Sequence, residues 1–197
     1  MIVITKRLRE MERYADDNNI PIINKEGLKF LLDYIKKNKI KSILEIGSAI
    51  GYSAINMALV DEKIMVTTIE KNETRYLEAL KNIKDFQLEK RINLVLGDAL
   101  DLVLEEKYDL IFIDAAKSKY VDFFMKYQDN LKRKGSIVTD NIYFHGLVYQ
   151  KESIEQKQTR KLVEKIKEYM LFLKNNKEFE SSFYEVGDGI SVSKRSD

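Results

Sequence analysis

The chain has 197 residues, 44% hydrophobic and 34% charged, with one proline and a formal net charge of only +2. That mixture fits one globular domain and excludes a disordered or fibrous chain, and so weak a charge does not by itself signal nucleic-acid binding. Cysteine is absent, which excludes disulfides, thiolate metal sites and cysteine nucleophiles.

No apolar run approaches the roughly 20 residues needed to cross a bilayer. Met1-Ile2-Val3-Ile4 is too short for a signal-peptide core and is followed by charges. The expected setting is cytoplasmic, with no membrane partner. Residues 5–18 place Leu8, Met11 and Ala15 near helical spacing, and Asn18-Asn19-Ile20-Pro21 ends that helix. Residues 25–38 form a second helix with Leu28, Leu31, Leu32 and Ile35 on one face. The period then changes. Strands are predicted at 42–46, 64–69, 92–96, 108–113 and 136–139, with helices at 51–60, 72–84, 119–131 and 152–174. Residues 183–186 and 190–193 read as a hairpin around Gly187-Asp188-Gly189.

Strand and helix alternate along the chain, which implies an α/β fold: a mostly parallel sheet covered by helices on both faces, with an antiparallel C-terminal hairpin. No linker or repeat divides it, so residues 1–197 are expected to be one domain. The basic clusters Lys6-Arg7-Leu8-Arg9, Lys36-Lys37-Asn38-Lys39 and Lys132-Arg133-Lys134 read first as solvated helix ends and loops.

Ligands of such sheets sit beyond the carboxyl ends of the strands, and the sequence places acids there. The first strand runs into Gly47-Ser48-Ala49-Ile50-Gly51 and a helix start. Two glycines permit a sharp turn and close ligand approach, but the third glycine of a dinucleotide fingerprint is missing, which disfavours a nicotinamide oxidoreductase. Glu45 could suit the ammonium of an amino-acid tail; the plain alternative is an ordinary strand-to-helix turn. Glu70 ends the second strand, where a carboxylate accepts bonds from ribose hydroxyls, although a surface acid there is common. Gly97-Asp98-Ala99 ends the third, fit either for an adenine edge or for a turn with a helix cap. Asp114, Asp140 and Asn141 emerge from the fourth and fifth strands as a hard oxygen set suited to magnesium, loop caps and salt bridges being the alternative.

The segments Leu44-Glu45-Ile46-Gly47-Ser48-Ala49-Ile50-Gly51-Tyr52-Ser53, Ile113-Asp114-Ala115-Ala116-Lys117, Asp140-Asn141 and Gly187-Asp188-Gly189, in that order, resemble the cation-dependent catechol and caffeoyl-CoA O-methyltransferase family. Within it, Glu12 to Gly27 and the Gly187-Asp188-Gly189-Ile190 ending are most similar to the bacterial tRNA 5-hydroxyuridine methyltransferases. The resemblance implies a Rossmann-like class I methyltransferase of seven strands, with residues 1–40 covering the active-site side. It implies S-adenosylmethionine as methyl donor, a magnesium or other divalent ion, and a homodimer. The implied reaction is methylation of 5-hydroxyuridine at the tRNA wobble position; catechol-like or caffeoyl-CoA-like small molecules are the alternative. By motif, Glu70 would hold the ribose, Asp98 and Ala99 the adenine, and Ser53, Gly47 and Ile23 the rest of the cofactor, with Asp114 beside it. Asp114, Asp140 and Asn141 would be the metal ligands and Lys117 the general base. A tRNA substrate would further need phosphate contacts, for which Lys6, Arg7, Arg9, Arg13, Lys117 and Lys119 are candidates, and stacking rings, for which Tyr143, Phe144 and Tyr149 are. His145 reads as an incidental loop residue. A catalytically silent RNA-binding protein is the remaining possibility, and it is disfavoured because none of Glu70, Asp114, Asp140 and Asn141 is lost.

Overall fold

The structure, a computed structural model, describes residues 2–149 and 155–196. Its elements run α1 (Ile2–Asp17), α2 (Lys25–Lys37), β1 (Ser42–Ile46), α3 (Tyr52–Leu59), β2 (Met65–Glu70), α4 (Glu73–Asp85), β3 (Ile92–Leu96), β4 (Tyr108–Ile113), α5 (Tyr120–Tyr127), β5 (Leu131–Thr139), α6 (Lys157–Asn175), β6 (Phe179–Tyr184) and β7 (Ile190–Arg195). One seven-stranded sheet has the order β3-β2-β1-β4-β5-β7-β6. β1 to β5 are parallel, and β7 pairs antiparallel with both β5 and β6. The expected mixed sheet with its terminal hairpin is therefore what forms.

Alternate strand residues feed two cores. Ile43, Leu110, Phe112 and Val138 face α1, α2 and α3, while Leu44, Ile46, Ile111, Ile113 and Ile137 face α5 and α6. Both faces are apolar because both are covered, the usual condition of parallel strands. Asn24 caps α2, its side chain accepting from the Gly27 amide at 2.8 Å, and the chain just before it, Pro21 to Ile23, reaches the sheet's carboxyl edge. The N-terminal helices thus cover one face of the sheet, and only the residues joining them touch the site.

Several boundaries differ from those read in the sequence; the helix predicted at 119–131, for one, ends at Tyr127. β5 starts at Leu131, not at residue 136, because the basic run Lys132-Arg133-Lys134 bulges out: Tyr108 pairs with Leu131 but Leu110 with Ser136. β6 lies earlier than the predicted 183–186, anchored by buried Phe179 beneath the Arg195 guanidinium, 4.8 Å from the ring centre. The predicted helix 152–174 is described from Lys157 to Asn175; its residues 152–154 lie outside the described residues. Among the described residues, no helix is long and apolar enough to cross a membrane.

Candidate active site

The strand order sorts the acids in space. From the edge inward, β3 leads to Asp98, β2 to Glu70, β1 to Gly47, β4 to Asp114 and β5 to Asp140. The sheet's order reverses between β1 and β4, the switch point at which doubly wound sheets bind ligands. A cavity of about 430 Å³ opens there, within the range of small-molecule sites. Ile23, Gly47, Ser53, Glu70, Asp98, Ala99, Asp114, Lys117 and Asn141 all line it, so these sequence-predicted residues converge.

Backbone bonds carry the ladder past the strand ends. Gly47 and Ser48 amides donate to the Ile69 carbonyl, the Asp114 amide to Ile46, and the Asp140 amide to Ile113. Glu70 pins the glycine turn: its Oε2 accepts from the Ala49 amide and its Oε1 from the Asn72 amide, each at 2.8 Å. Gly51 begins α3 in the left-handed region with no side-chain cap. The amides of that first turn, at Tyr52 and Ser53, therefore border the cavity without a capping acceptor. Asp98 Oδ1 accepts from the Leu100 amide at 2.9 Å, and the Ala99 carbonyl is fixed by Tyr127 Oη at 2.6 Å.

Two of the predicted residues, Glu45 and Asp140, do not line the cavity. Glu45 lies below it. Its register on β1 turns it to the α3 face, where it is fully buried and its Oε2 accepts from Thr68 Oγ1. The structure therefore places Glu45 behind the cavity wall, near Ser53, with its Oε1 buried and without a hydrogen-bond partner. Burial pushes this carboxyl up to about 7, against the pull of Ser53 and Thr68. A carboxyl whose folded value is raised costs nothing below its ordinary value of 4.5 and costs most above about 7. Glu45→Gln is therefore expected to stabilise the fold by about 3 kcal/mol at pH 8, an upper figure. The gain should vanish near pH 4.5 in urea melts; a gain independent of pH would contradict this account.

At the β4–β5 end the oxygens gather. Asp140 is wholly buried, and neither of its carboxylate oxygens has a hydrogen-bond partner. Burial, then the charge of Asp114, pushes its carboxyl well above the usual range, and burial does the same to Asp114. Asn141 follows with φ +60°, a left-handed conformation that asparagine tolerates. Lys117 Nζ donates to Asn141 Oδ1 at 2.6 Å. Unpaired buried carboxylate oxygens are costly unless a cation meets them. Two carboxylates with an amide oxygen are hard donors, so the residues present fit a divalent ion. Among the described residues no group of three or more histidine or acidic side chains is placed to hold a metal ion, so this site would rest on two carboxylates and one amide.

The predicted phosphate contacts divide. Lys117 and Lys119 line the cavity. Arg7 instead donates to the Asp85 carbonyl at the end of α4, and Lys6 pairs with Glu10 at 3.9 Å. Lys71 and Arg75, not singled out from sequence, also line the cavity, as does Ser48, whose buried hydroxyl lacks a partner. Tyr143 and Tyr149 pack with ring centres 5.0 Å apart beside a neighbouring hollow that Asn24 and Asp188 share. His145 is exposed there, its Nδ1 3.7 Å from Asp188, and lies outside the oxygen set.

Fold and cavity together define a Rossmann-like methyltransferase domain. A family model described as O-methyltransferase matches residues 2–196. The chain is 30% identical over 201 residues to tapetum-specific methyltransferase 1 of Arabidopsis thaliana, covering 98% of this chain and 86% of that protein. It is 34% identical, with a TM-score of 0.91, to the structure of a Staphylococcus aureus protein provisionally named a caffeoyl-CoA O-methyltransferase, covering 96% and 92% of the two chains. An O-methyltransferase from Bacillus cereus, solved in complex with SAH, shares the fold with a TM-score of 0.84 at 24% identity, covering 97% and 91%. The chain belongs to the O-methyltransferase family.

Proposed function

We propose that this O-methyltransferase moves the methyl group of S-adenosylmethionine to 5-hydroxyuridine at the tRNA wobble position, with a divalent cation at Asp114, Asp140 and Asn141. One observation carries the cation-assisted part: the buried, unpartnered carboxylate of Asp140, next to Asp114 and Asn141, which themselves line the cavity. Order along the sheet supports the donor. Asp98 and Ala99 suit an adenine, Glu70 a ribose, and the Gly47 turn with the first amides of α3 a methionine carboxylate, which leaves the methyl toward β4 and β5.

Held by Asp114, Asp140 and Asn141, a divalent cation would supply Lewis-acid polarisation of the substrate hydroxyl. The chain's part is positioning and proton transfer. Lys117, held at this end of the cavity, first gives its ammonium proton to solvent and as the neutral amine then takes the hydroxyl proton; the oxygen forms the new bond to carbon as the carbon–sulfur bond breaks, and the electron pair leaves on sulfur. No protein nucleophile is required.

The family resemblance, the cations Lys71, Arg75 and Lys119 at the cavity wall and the Tyr143–Tyr149 pair support an RNA substrate. A second reading, a catechol-like or caffeoyl-CoA-like substrate, is favoured by the name of the Staphylococcus aureus relative. Labelled S-adenosylmethionine and magnesium, incubated in parallel with 5-hydroxyuridine tRNA, a catechol and caffeoyl-CoA, separate them. Label is expected in tRNA and lost on chelation. Label in a small molecule alone replaces the first reading with the second.

A further inference from the structure

Lys117 occupies an unexpected place. It sits in the turn after β4, and its ammonium is hydrogen-bonded to the side-chain oxygen of Asn141 while lying 5.8 Å from the centre of the Phe144 ring. Both contacts belong to the segment that follows β5, so the side chain spans from one strand end to the other. Its positive charge acts on Asp114 and on Asp140 alike, opposing their mutual repulsion. The ammonium thus does for the oxygen set, in the cation-free protein, part of what a divalent ion would do.

We infer that Lys117 is an internal counter-cation that holds Asn141 until a divalent ion displaces it. The inference rests on the reading that Asp114, Asp140 and Asn141 receive that ion. An ammonium and a dication cannot share one amide oxygen without strong repulsion at such range. Entry of the ion and departure of Lys117 are therefore one event, which releases the amine from Asn141 only when the site is loaded. Cation binding is correspondingly weakened by the lysine it must displace, and the amine is delivered to the substrate side of the cavity by the same displacement. Lys119, two positions on, lines the same cavity but pairs with Asp122 at 3.1 Å and not with the oxygen set. It serves as the control for charge without occupancy.

The test uses the full chain stripped of divalent ions and titrated with manganese chloride, free Mn2+ being read by electron paramagnetic resonance. Lys117→Met is expected to bind Mn2+ about fivefold to tenfold tighter than the unaltered protein, the lower end of ordinary coupling between competing ligands. Lys119→Met is expected to change affinity by less than about twofold, as for a screened, separately paired charge. Equal tightening in both variants, or none in Lys117→Met, overturns the inference. A second readout needs no metal: the side-chain amide signal of Asn141 in nitrogen-15 spectra should shift on Lys117→Met before any ion is added, and an unmoved signal overturns the inference even where Mn2+ binds. Failure of all three proteins to bind Mn2+ removes the cation reading itself, and the inference with it.

Discussion

Asp140→Asn is expected to lower turnover by about a hundredfold to a thousandfold, the rate equivalent of several kcal/mol of lost charge stabilisation, while making the metal-free protein more stable. The two effects share a cause. Asp140 is fully buried, with both oxygens unpartnered and Asp114 close enough to push its carboxyl up. Asparagine keeps the shape and removes the charge. A raised folded value means the cost is absent in acid, grows as pH rises past the ordinary aspartate range and is complete above the raised value. The stability gain of Asp140→Asn should therefore be largest near pH 8 and small near pH 4. Magnesium should raise the melting temperature of the unaltered protein, by mass action on the folded state, and leave that of the variant where it is. Cofactor affinity should change little, because Asp140 does not line the cavity. Normal turnover in the variant, with melting of the unaltered protein indifferent to magnesium and manganese, would sink the assignment.

Gly47→Ala is expected to cost about 3 kcal/mol or more of stability, summing left-handed strain with a backbone clash, and to abolish most cofactor binding. Gly47 has φ +101°, and a Cβ there would stand 2.1 Å from the Asp114 carbonyl oxygen and 2.8 Å from its carbon. Those are backbone atoms at the end of a buried central strand, so neither can swing aside. Relief would move the β1 turn away from β4, and with it the spacing between the cofactor end and the oxygen set. Gly51 provides the comparison. Its φ is +82°, but a Cβ would meet Ala79 Cβ at an ordinary 3.5 Å, so Gly51→Ala should cost only about 1 kcal/mol from conformation. Thermal melts and cofactor titration should rank Gly47→Ala as the worse by a wide margin; the reverse order would show that the β1–β4 contact does not constrain the turn.

Much of this arrangement was legible because strand ends announce themselves: apolar runs that stop at Gly47, Glu70, Gly97, Asp114 and Asp140 place five chemistries on one edge once the strands are known to be parallel. The sheet order then puts them in line, which sequence alone suggested only through fold rules. The depth of Glu45 behind the cavity wall was not legible because periodicity gives the alternation of a strand, not which layer lies above each side; its partner Thr68 comes from another element. The bulge in β5 was hidden because Lys132-Arg133-Lys134 has no apolar alternation, and Phe179 was missed as a strand start because its neighbours Glu178 and Glu180 are charged. Lys71 and Arg75 sit among many cations, and only their place beside Glu70 distinguishes them. The hydrogen bond between Lys117 and Asn141 spans two elements and left no trace in local sequence.

The far edge of the sheet, where β1 and β4 begin, holds a different kind of acid. Asp109 Oδ2 accepts from the Lys41 and Ser42 amides at 3.0 and 2.9 Å and from Ser42 Oγ, and its Oδ1 lies 3.0 Å from Lys132. Partial burial opposes ionisation there, but Lys132 and the backbone donors outweigh it and hold the carboxyl below its ordinary value. This group contributes stability above the ordinary aspartate range that is lost as pH falls through its lowered value. One rim of the sheet is thus tightened by the protons that loosen the other. Acidification should unravel the molecule from the side that carries no chemistry, leaving the reactive rim the last to feel it.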